Sequence, residues 1–329
     1  MPSVLITGGA GYIGSVSALV FLNAGWDTFV LDDLSRGHSA AIPPGVRFYR
    51  GDICDRQDVR LALQVARPDC VLHCAARAYV GESFEHPSDY FRINVGGTAN
   101  LLAAMADTGV ARIVFSSSCT VYGDPERLPI DEEEPLKPPG SPYGQTKQTC
   151  EQMLVWLSQT GVLSTASLRY FNAAGAWGDY GEDHRPETHL IPIVIDAALG
   201  TSGPLQIFGN DYPTADGTCV RDYIHIYDLA QAHLLAAHHL LANPRGTELH
   251  CNLGTGKGYS IIEIMEAAER ITGHAVPHSV APRRPGDAPK LIAASGKASQ
   301  ILGWQPQYSD LDTIITHAHQ WRLTHPNGY

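Results

Sequence analysis

A short β-prone run, Val4-Leu5-Ile6-Thr7, passes directly into Gly8-Gly9-Ala10-Gly11-Tyr12-Ile13-Gly14 and then into a stretch with helical periodicity. Strand, glycine-rich turn and helix in that order leave few folds open. Positions without a side chain let the backbone turn tightly and let an anion come close. The helix start beyond them offers unpaired N–H groups and a positive dipole end to that anion. The glycines read as GxGxxG at Gly9, Gly11 and Gly14, or as GxxGxxG at Gly8, Gly11 and Gly14. Alone, such a motif is weak evidence, and a glycine-rich turn beside a surface aspartate is the competing reading. Its context strengthens it, because Asp32 ends a second strand-like stretch where a carboxylate can accept from the ribose hydroxyls of an adenine dinucleotide. The same carboxylate would repel a 2′-phosphate, so NAD is expected rather than NADP. Asp33 supports that preference and Arg36 weakens it. Gly51-Asp52-Ile53 ends a third such stretch, in reach of an adenine.

Apolar and β-branched stretches at residues 4–7, 28–32, 46–49, 70–74 and 112–116 read as short buried strands, and helical patterns occupy residues 13–24, 56–65 and 95–108. This alternation predicts an α/β, Rossmann-type fold: a doubly wound parallel sheet with helices on both faces and its ligands at the carboxyl ends of the strands. After Phe171 the texture changes. Residues 172–188 are rich in Gly, Asp, Glu and His and read as an irregular connection. Beyond them lie helical stretches at residues 191–199, 228–241 and 261–272, strand-like ones at 205–208 and 223–226, and a Pro- and Arg-rich segment at 281–289. We therefore expect a dinucleotide-binding domain over residues 1–172, with 219–245 returning to it, and a smaller α/β C-terminal substrate domain over 173–329.

The formal net charge of −11 argues against a nucleic-acid partner, which demands a basic footprint, but not against a small anionic ligand. Seven cysteines (54, 70, 74, 119, 150, 219 and 251) are scattered, odd in number and free of CxxC pairs, as expected of reduced thiols in a cytoplasm. Met1-Pro2-Ser3 shows no basic stretch or cleavage motif, so no signal peptide is expected. No apolar run approaches the roughly 20 residues that span a bilayer, and no membrane association is expected. Fifteen histidines invite a metal reading. His233, His238 and His239 share one helical stretch without an i,i+4 pair, read as solvated, and no metal is expected.

The chemistry concentrates at Tyr143-Gly144-Gln145-Thr146-Lys147. Residues four apart share a helix face, and a nearby ammonium favours a phenolate, drawing the tyrosine from about 10 toward neutrality. A tyrosine so tuned is a general base for a sugar hydroxyl. YxxxK is common by itself, and a plain helix-face pair is the bland reading. Ser116-Ser117-Ser118 follows the fifth strand-like stretch, placing the Ser118 hydroxyl at the ligand-binding edge of the sheet, with Ser116 and Ser117 in structural roles.

Dinucleotide loop, serine triplet and YxxxK in this order resemble the extended short-chain dehydrogenase/reductase family, and within it the nucleotide-sugar 4-epimerases. The resemblance runs almost end to end, through residues 80–83 (VGES), 116–123 (SSSCTVYG), 141–147 (SPYGQTK), 169–172 (RYFN), 207–214 (IFGNDYPT), 216–218 (DGT), 220–225 (VRDYIH), 281–284 (APRR), Gly286-Asp287 and 325–329 (HPNGY). It implies an NAD-dependent isomerase that inverts C4 of a UDP-sugar through a 4-keto intermediate, with UDP-glucose/UDP-galactose the first pair to test. By the same resemblance Ser118, Tyr143 and Lys147 are catalytic. Gly8, Gly11, Tyr12, Ile13, Gly14, Asp32, Asp33, Asp52, Ile53, Cys74, Ala75, Ala76, Asn94, Ser116, Tyr143, Lys147, Tyr170 and Phe171 hold the cofactor. Asn172, Arg221 and Arg284 hold the substrate diphosphate, Phe208 and Tyr223 line the uracil and ribose pocket, and Asp287 accepts from the ribose. Ser118, Tyr143, His189, Leu190, Gln206 and Ile207 complete the substrate contacts. A homodimer through residues 95–108 and 147–159 is also implied.

Departures from the family pattern matter. Arg77 stands in a segment where some members carry a cofactor-binding lysine, and His189 stands where relatives carry Asn. Leu291 replaces a bulky Tyr, which leaves UDP-N-acetylhexosamines open as substrates; the pentose pair UDP-xylose/UDP-arabinose also remains open. Cys119 and Thr120 occupy places where nucleotide-sugar dehydratases carry Asp and Glu, which argues against water elimination. A non-catalytic NAD-binding protein is disfavoured because Tyr143 and Lys147 are both present.

Overall fold

A computed structural model of the chain describes residues 1–284 and 287–329, so Gly286 of the resemblance lies outside the described residues. The strands in chain order are β1 (Ser3–Thr7), β2 (Asp27–Asp32), β3 (Arg47–Arg50), β4 (Cys70–His73), β5 (Arg112–Ser118), β6 (Ser164–Tyr170), β7 (Asn172–Ala174), β8 (Leu205–Phe208), β9 (Val220–His225), β10 (Glu248–Leu253), β11 (Gly258–Ser260), β12 (His278–Ala281) and β13 (Lys290–Leu291). The large sheet runs β10-β6-β5-β4-β1-β2-β3, parallel throughout. Chain order reverses between β1 and β4, and a doubly wound sheet opens a crevice at the carboxyl ends there. Gly8 and Cys74 each follow one of those two strands.

Central strands β1, β4, β5 and β6 are almost wholly buried, as both-face covering by helices requires. Residues 46–49, expected as a buried strand, instead form the edge strand β3, most of whose residues are exposed. Arg47 and Arg50 on that edge suit it, because charge discourages pairing with another chain. The helical pattern at 95–108 becomes an α-helix only from Thr98; Phe91–Gly97 form a π-helical stretch before it. Within that stretch the Asn94 amide grips the backbone of Arg77 from both sides, accepting from its N–H at 2.8 Å and donating to its carbonyl at 3.0 Å.

A second, smaller set of strands covers the carboxyl edge. β9 pairs with β7, β11 and β13, and β8 pairs with β12. The connection expected at 172–188 therefore begins as a strand, β7. Of the segment expected to return to the first domain, β9 belongs to the small sheet. Helix Ile226–Ala242 lies against helix Tyr12–Asn23 and the large sheet, and β10 then extends that sheet. His233 corrects the sequence reading. It is fully buried, not solvated, because it sits between the Ser17 hydroxyl, 2.9 Å from Nδ1, and the Tyr170 hydroxyl at Nε2. Among the described residues no helix is long and apolar enough to cross a membrane, and all seven cysteines are unpaired.

Candidate active site

The crevice between the two sets of strands is a continuous cleft of about 1860 Å³. Single-ligand pockets reach only about 1,000 Å³, so the cleft has room for two sizeable ligands side by side. Every residue expected to hold the cofactor lines it except Asn94, Ser116 and Lys147, and every residue expected to hold the substrate except Ile207. Those four are buried behind the wall.

At one end the glycine loop is bare by necessity. Gly8 has φ of +70°, and a Cβ there would meet the Ala75 amide nitrogen at 2.6 Å; one at Gly14 would strike the Gly8 carbonyl. Gly11 has only the Gly8 oxygen near, at 3.4 Å. It caps helix Tyr12–Asn23 without any side-chain hydrogen bond, leaving the first-turn N–H groups open for an anion. Asp32 accepts from the Ala10 and Leu34 amides, at 3.0 and 2.9 Å, one on each oxygen. Each oxygen keeps a lone pair for a ribose hydroxyl. This donor and acceptor set fits an adenine dinucleotide. The Arg36 charge is matched by Glu82 at 2.5 Å, and its guanidinium lies 5.0 Å over the Tyr79 ring, so it is not a free partner for a 2′-phosphate. Arg77 lies 3.7 Å from the same Glu82.

In the middle stand Ser118, Tyr143 and Lys147. Ser118 ends β5, and its hydroxyl receives the Thr120 amide at 3.2 Å and the Thr120 hydroxyl at 3.0 Å. Ser141 caps helix Pro142–Gln159 by accepting from Gly144, with Pro142 at its first position, a strong local start signal. This puts Tyr143 on the first turn and Lys147 on the next. Lys147 is buried and donates to the Ser116 carbonyl at 2.6 Å; its ammonium stays 5.9 Å from the Tyr143 ring centre. The expected acidification of Tyr143 is thus overturned for the protein alone. Burial pushes the phenol up to about 12, and the Ser118 hydrogen bond only partly offsets it. The lysine charge is turned to a carbonyl, and burial lowers the Lys147 pKa as well.

Beneath this trio lies a network that the motif reading missed. Arg169 clasps Glu151 with Nη2 at 2.7 Å and Nε at 3.0 Å, and Ser117 donates to Glu151 at 2.5 Å. Arg169 also donates to the Tyr122 hydroxyl at 2.8 Å, which in turn donates to Asn252 at 2.7 Å. Glu151 was findable, since it lies one turn beyond Lys147 on the same helix. Asn252, on β10, carried no local signal. Asp222, inside the VRDYIH stretch, is fully buried and accepts from the Thr255, Gly256 and Ala293 amides, fastening β9 to its neighbours.

At the far end the polar groups are more open. Arg221 donates to the Val220 and Ala288 carbonyls at 3.0 and 2.8 Å and lies 3.4 Å from Asp287. Arg284 is exposed and stacks 3.8 Å over the Phe208 ring. Gln206 is exposed, Tyr223 buried, and Asn172 donates to the Asp222 carbonyl at 2.9 Å. The His189 imidazole points to Glu182 and Glu187, at 2.7 and 3.1 Å. Leu291 lines the cleft beside Phe171 and Cys119. Cys119 itself is buried, its thiol pushed up to about 12 by that burial, so it is no nucleophile.

The model of the NAD dependent epimerase/dehydratase family matches residues 4–254. A UDP-glucose 4-epimerase of Halalkalibacterium halodurans is 48% identical over 329 residues, covering 99% of this chain and 97% of the relative. Among solved structures, UDP-glucose 4-epimerase from Brucella ovis in complex with NAD superposes with a TM-score of 0.93 at 47% identity, covering 97% of this chain and 98% of that one. The Bifidobacterium longum enzyme in complex with NAD+ and UDP gives a TM-score of 0.94 at 36% identity, covering 99% and 100%. With the glycine loop and Tyr143 on one cleft, Lys147 buried just behind its wall, and the likeness running from end to end, the chain belongs to the NAD dependent epimerase/dehydratase family.

Proposed function

We propose that this chain is an NAD-dependent isomerase that interconverts UDP-glucose and UDP-galactose by inverting C4. One observation carries the reading: the bare glycine loop, the Ser118–Tyr143 pair and the Arg221/Arg284/Asp287 end open onto one continuous cleft. Gly8, Gly11, Gly14 and Asp32 would hold the dinucleotide. Held there, NAD would supply an acceptor and then a donor of hydride for C4 of the sugar. Tyr143 removes the proton of the 4-hydroxyl and gives it back to the same oxygen after the sugar has presented the other face of C4, while the Ser118 hydroxyl bonds that oxygen. The Tyr143 phenol is neutral in the protein alone, and a cation lodged beside it would favour the phenolate. Lys147, anchored on the Ser116 carbonyl, fixes the helix turn that aims Tyr143.

Inversion needs a 4-keto sugar that turns over between the two transfers, so the sugar must be held loosely and the nucleotide firmly. Binding energy remote from the reacting carbon does this. Arg221, Arg284 and Asn172 supply it at the diphosphate, and Phe208, Tyr223 and Asp287 at the nucleoside. Residues 1–172 with helix Ile226–Ala242 and β10 form the cofactor unit, and the rest of 173–329 the substrate unit. A role in galactose metabolism, a cytoplasmic setting and a homodimer belong to the same proposal. The unpaired thiols suit a reducing compartment. The dimer reading follows the resemblance, and the 68% exposure of Trp156 on helix Pro142–Gln159 is compatible with it. Incubating the purified protein with UDP-galactose and resolving UDP-glucose by chromatography tests the activity. No conversion of any UDP-sugar in a panel would overturn it.

A further inference from the structure

The segment between β7 and helix Leu190–Ala198 brings together two imidazoles and two carboxylates. Glu182, His184, Glu187 and His189 each offer one ligand atom, all within 4.8 Å of one another. Glu182 Oε1 lies 3.0 Å from His184 Nδ1 and 2.7 Å from His189 Nδ1. Glu187 Oε1 lies 3.9 and 3.1 Å from the same two nitrogens. In a tetrahedral site with N and O ligands at about 2.0–2.2 Å, neighbouring ligand atoms stand about 3.3–3.5 Å apart. The four nitrogen–oxygen separations, 2.7 to 3.9 Å, bracket that spacing.

Hydrogen bonding alone satisfies this group poorly. Each Nδ1 carries at most one proton. His189 Nδ1 faces two carboxylate oxygens, and its single proton cannot lie in line with both. A cation among them would meet one ligand atom from each residue. The Thr188 and His189 amides bond Glu187 Oε1 at 2.8 Å and hold that carboxylate beside the imidazoles. The side chain of Glu182 is only 6% exposed, and the Tyr79 ring lies edge-on to both imidazoles, at 5.5 and 6.3 Å.

We propose that Glu182, His184, Glu187 and His189 bind one divalent transition-metal ion of the zinc type. Two imidazoles select against magnesium and calcium, which take oxygen ligands. Four protein ligands close the coordination sphere, the mark of a structural site. The ion ties residues 182–189 together where His189 begins helix Leu190–Ala198, whose first residues line the cleft. This site is independent of the sugar on which the enzyme acts.

The test strips full-length protein with a chelator, then titrates Zn²⁺ against a chromogenic zinc indicator and follows the melting temperature. A double variant, His184→Gln with Glu187→Gln, is treated in parallel. The stripped protein should take up about one zinc per chain, as a four-ligand site predicts, and melt at a higher temperature with zinc than without. The variant should lose both responses. No uptake by the stripped protein, or equal uptake by the variant, overturns the site. Should the variant not fold, zinc X-ray absorption of the unsubstituted protein decides. A nitrogen/oxygen shell at about 2.0–2.1 Å without sulfur supports the assignment, and sulfur ligation moves the ion to a cysteine and overturns it.

Discussion

On the large-sheet wall of the cleft the working groups are locked from behind, whereas across from it some of them face solvent. Lys147 is 3% exposed, Asp32 8% and Ser118 9%. Their backs rest on Ser116, on the Ala10 and Leu34 amides and on Thr120, and the Glu151–Arg169 pair bonds Ser117, the neighbour of Ser118. The opposite wall uses short strands, a two-residue one among them, and presents Gln206 and Arg284 to solvent. A reaction that keeps one partner fixed while the other turns over asks for this asymmetry. Precision is built where atoms react, and the far wall is left to grip by charge and stacking.

If the fixed wall does the chemistry, Tyr143→Phe should lower kcat by about 10²- to 10⁴-fold, the usual worth of a positioned acid–base group, with the KM for UDP-galactose little changed. A steady-state assay with a matched fold check measures this, and full turnover in the variant would remove Tyr143 from the mechanism. The underlying lock should break next. Glu151→Ala strands the Arg169 charge in the core, and losing one member of a buried pair costs about 3–5 kcal/mol. A urea titration reads that loss, and an unshifted midpoint would mean that the network carries no load.

Acid should find the same wall. Burial lowers His73 and His233 each to about 3 from the usual 6.5. A base whose folded pKa is depressed gives stability that is present above its unfolded value and lost as the pH falls through the folded one. The melting temperature should therefore hold above about pH 6.5 and drop steadily toward about pH 3. A flat profile across that window would show that neither ring is kept neutral by the fold.

The open wall should respond with smaller effects, and in binding. Arg284→Ala should raise the KM for a UDP-sugar by about 10- to 100-fold, the worth of a charged hydrogen bond to the ligand, and leave kcat near its original value. Equal losses in both constants would show that this wall, too, acts in the transition state. Leu291→Tyr should be the mildest. By narrowing the sugar space it should cut the turnover of UDP-N-acetylglucosamine relative to UDP-glucose by about tenfold, within the range that pocket shape allows. An unchanged ratio would clear Leu291 of any part in choosing the sugar.

Much of this was readable from the chain alone, and the reason is local chemistry. Gly8 to Gly14 announced a turn, and the four-residue spacing of Tyr143 and Lys147 announced a shared helix face. β8 and helix Ile261–Thr272 fall where composition and period put them. Errors arose wherever a residue's environment comes from far along the chain. β3 looked buried because its composition says nothing about being at a sheet edge. His233 looked solvated, yet Ser17 and Tyr170, 216 and 63 residues away, enclose it.

Sequence by itself therefore determined the alternating fold class, the dinucleotide loop and the YxxxK face, because each is written in residues a few positions apart. Tertiary structure alone decided the charge state of the phenol, the partner of the Lys147 ammonium and the gathering of Glu182, His184, Glu187 and His189 within 4.8 Å of one another. Desolvation and Coulomb forces depend on three-dimensional distance, and a list of residues in order does not contain those distances.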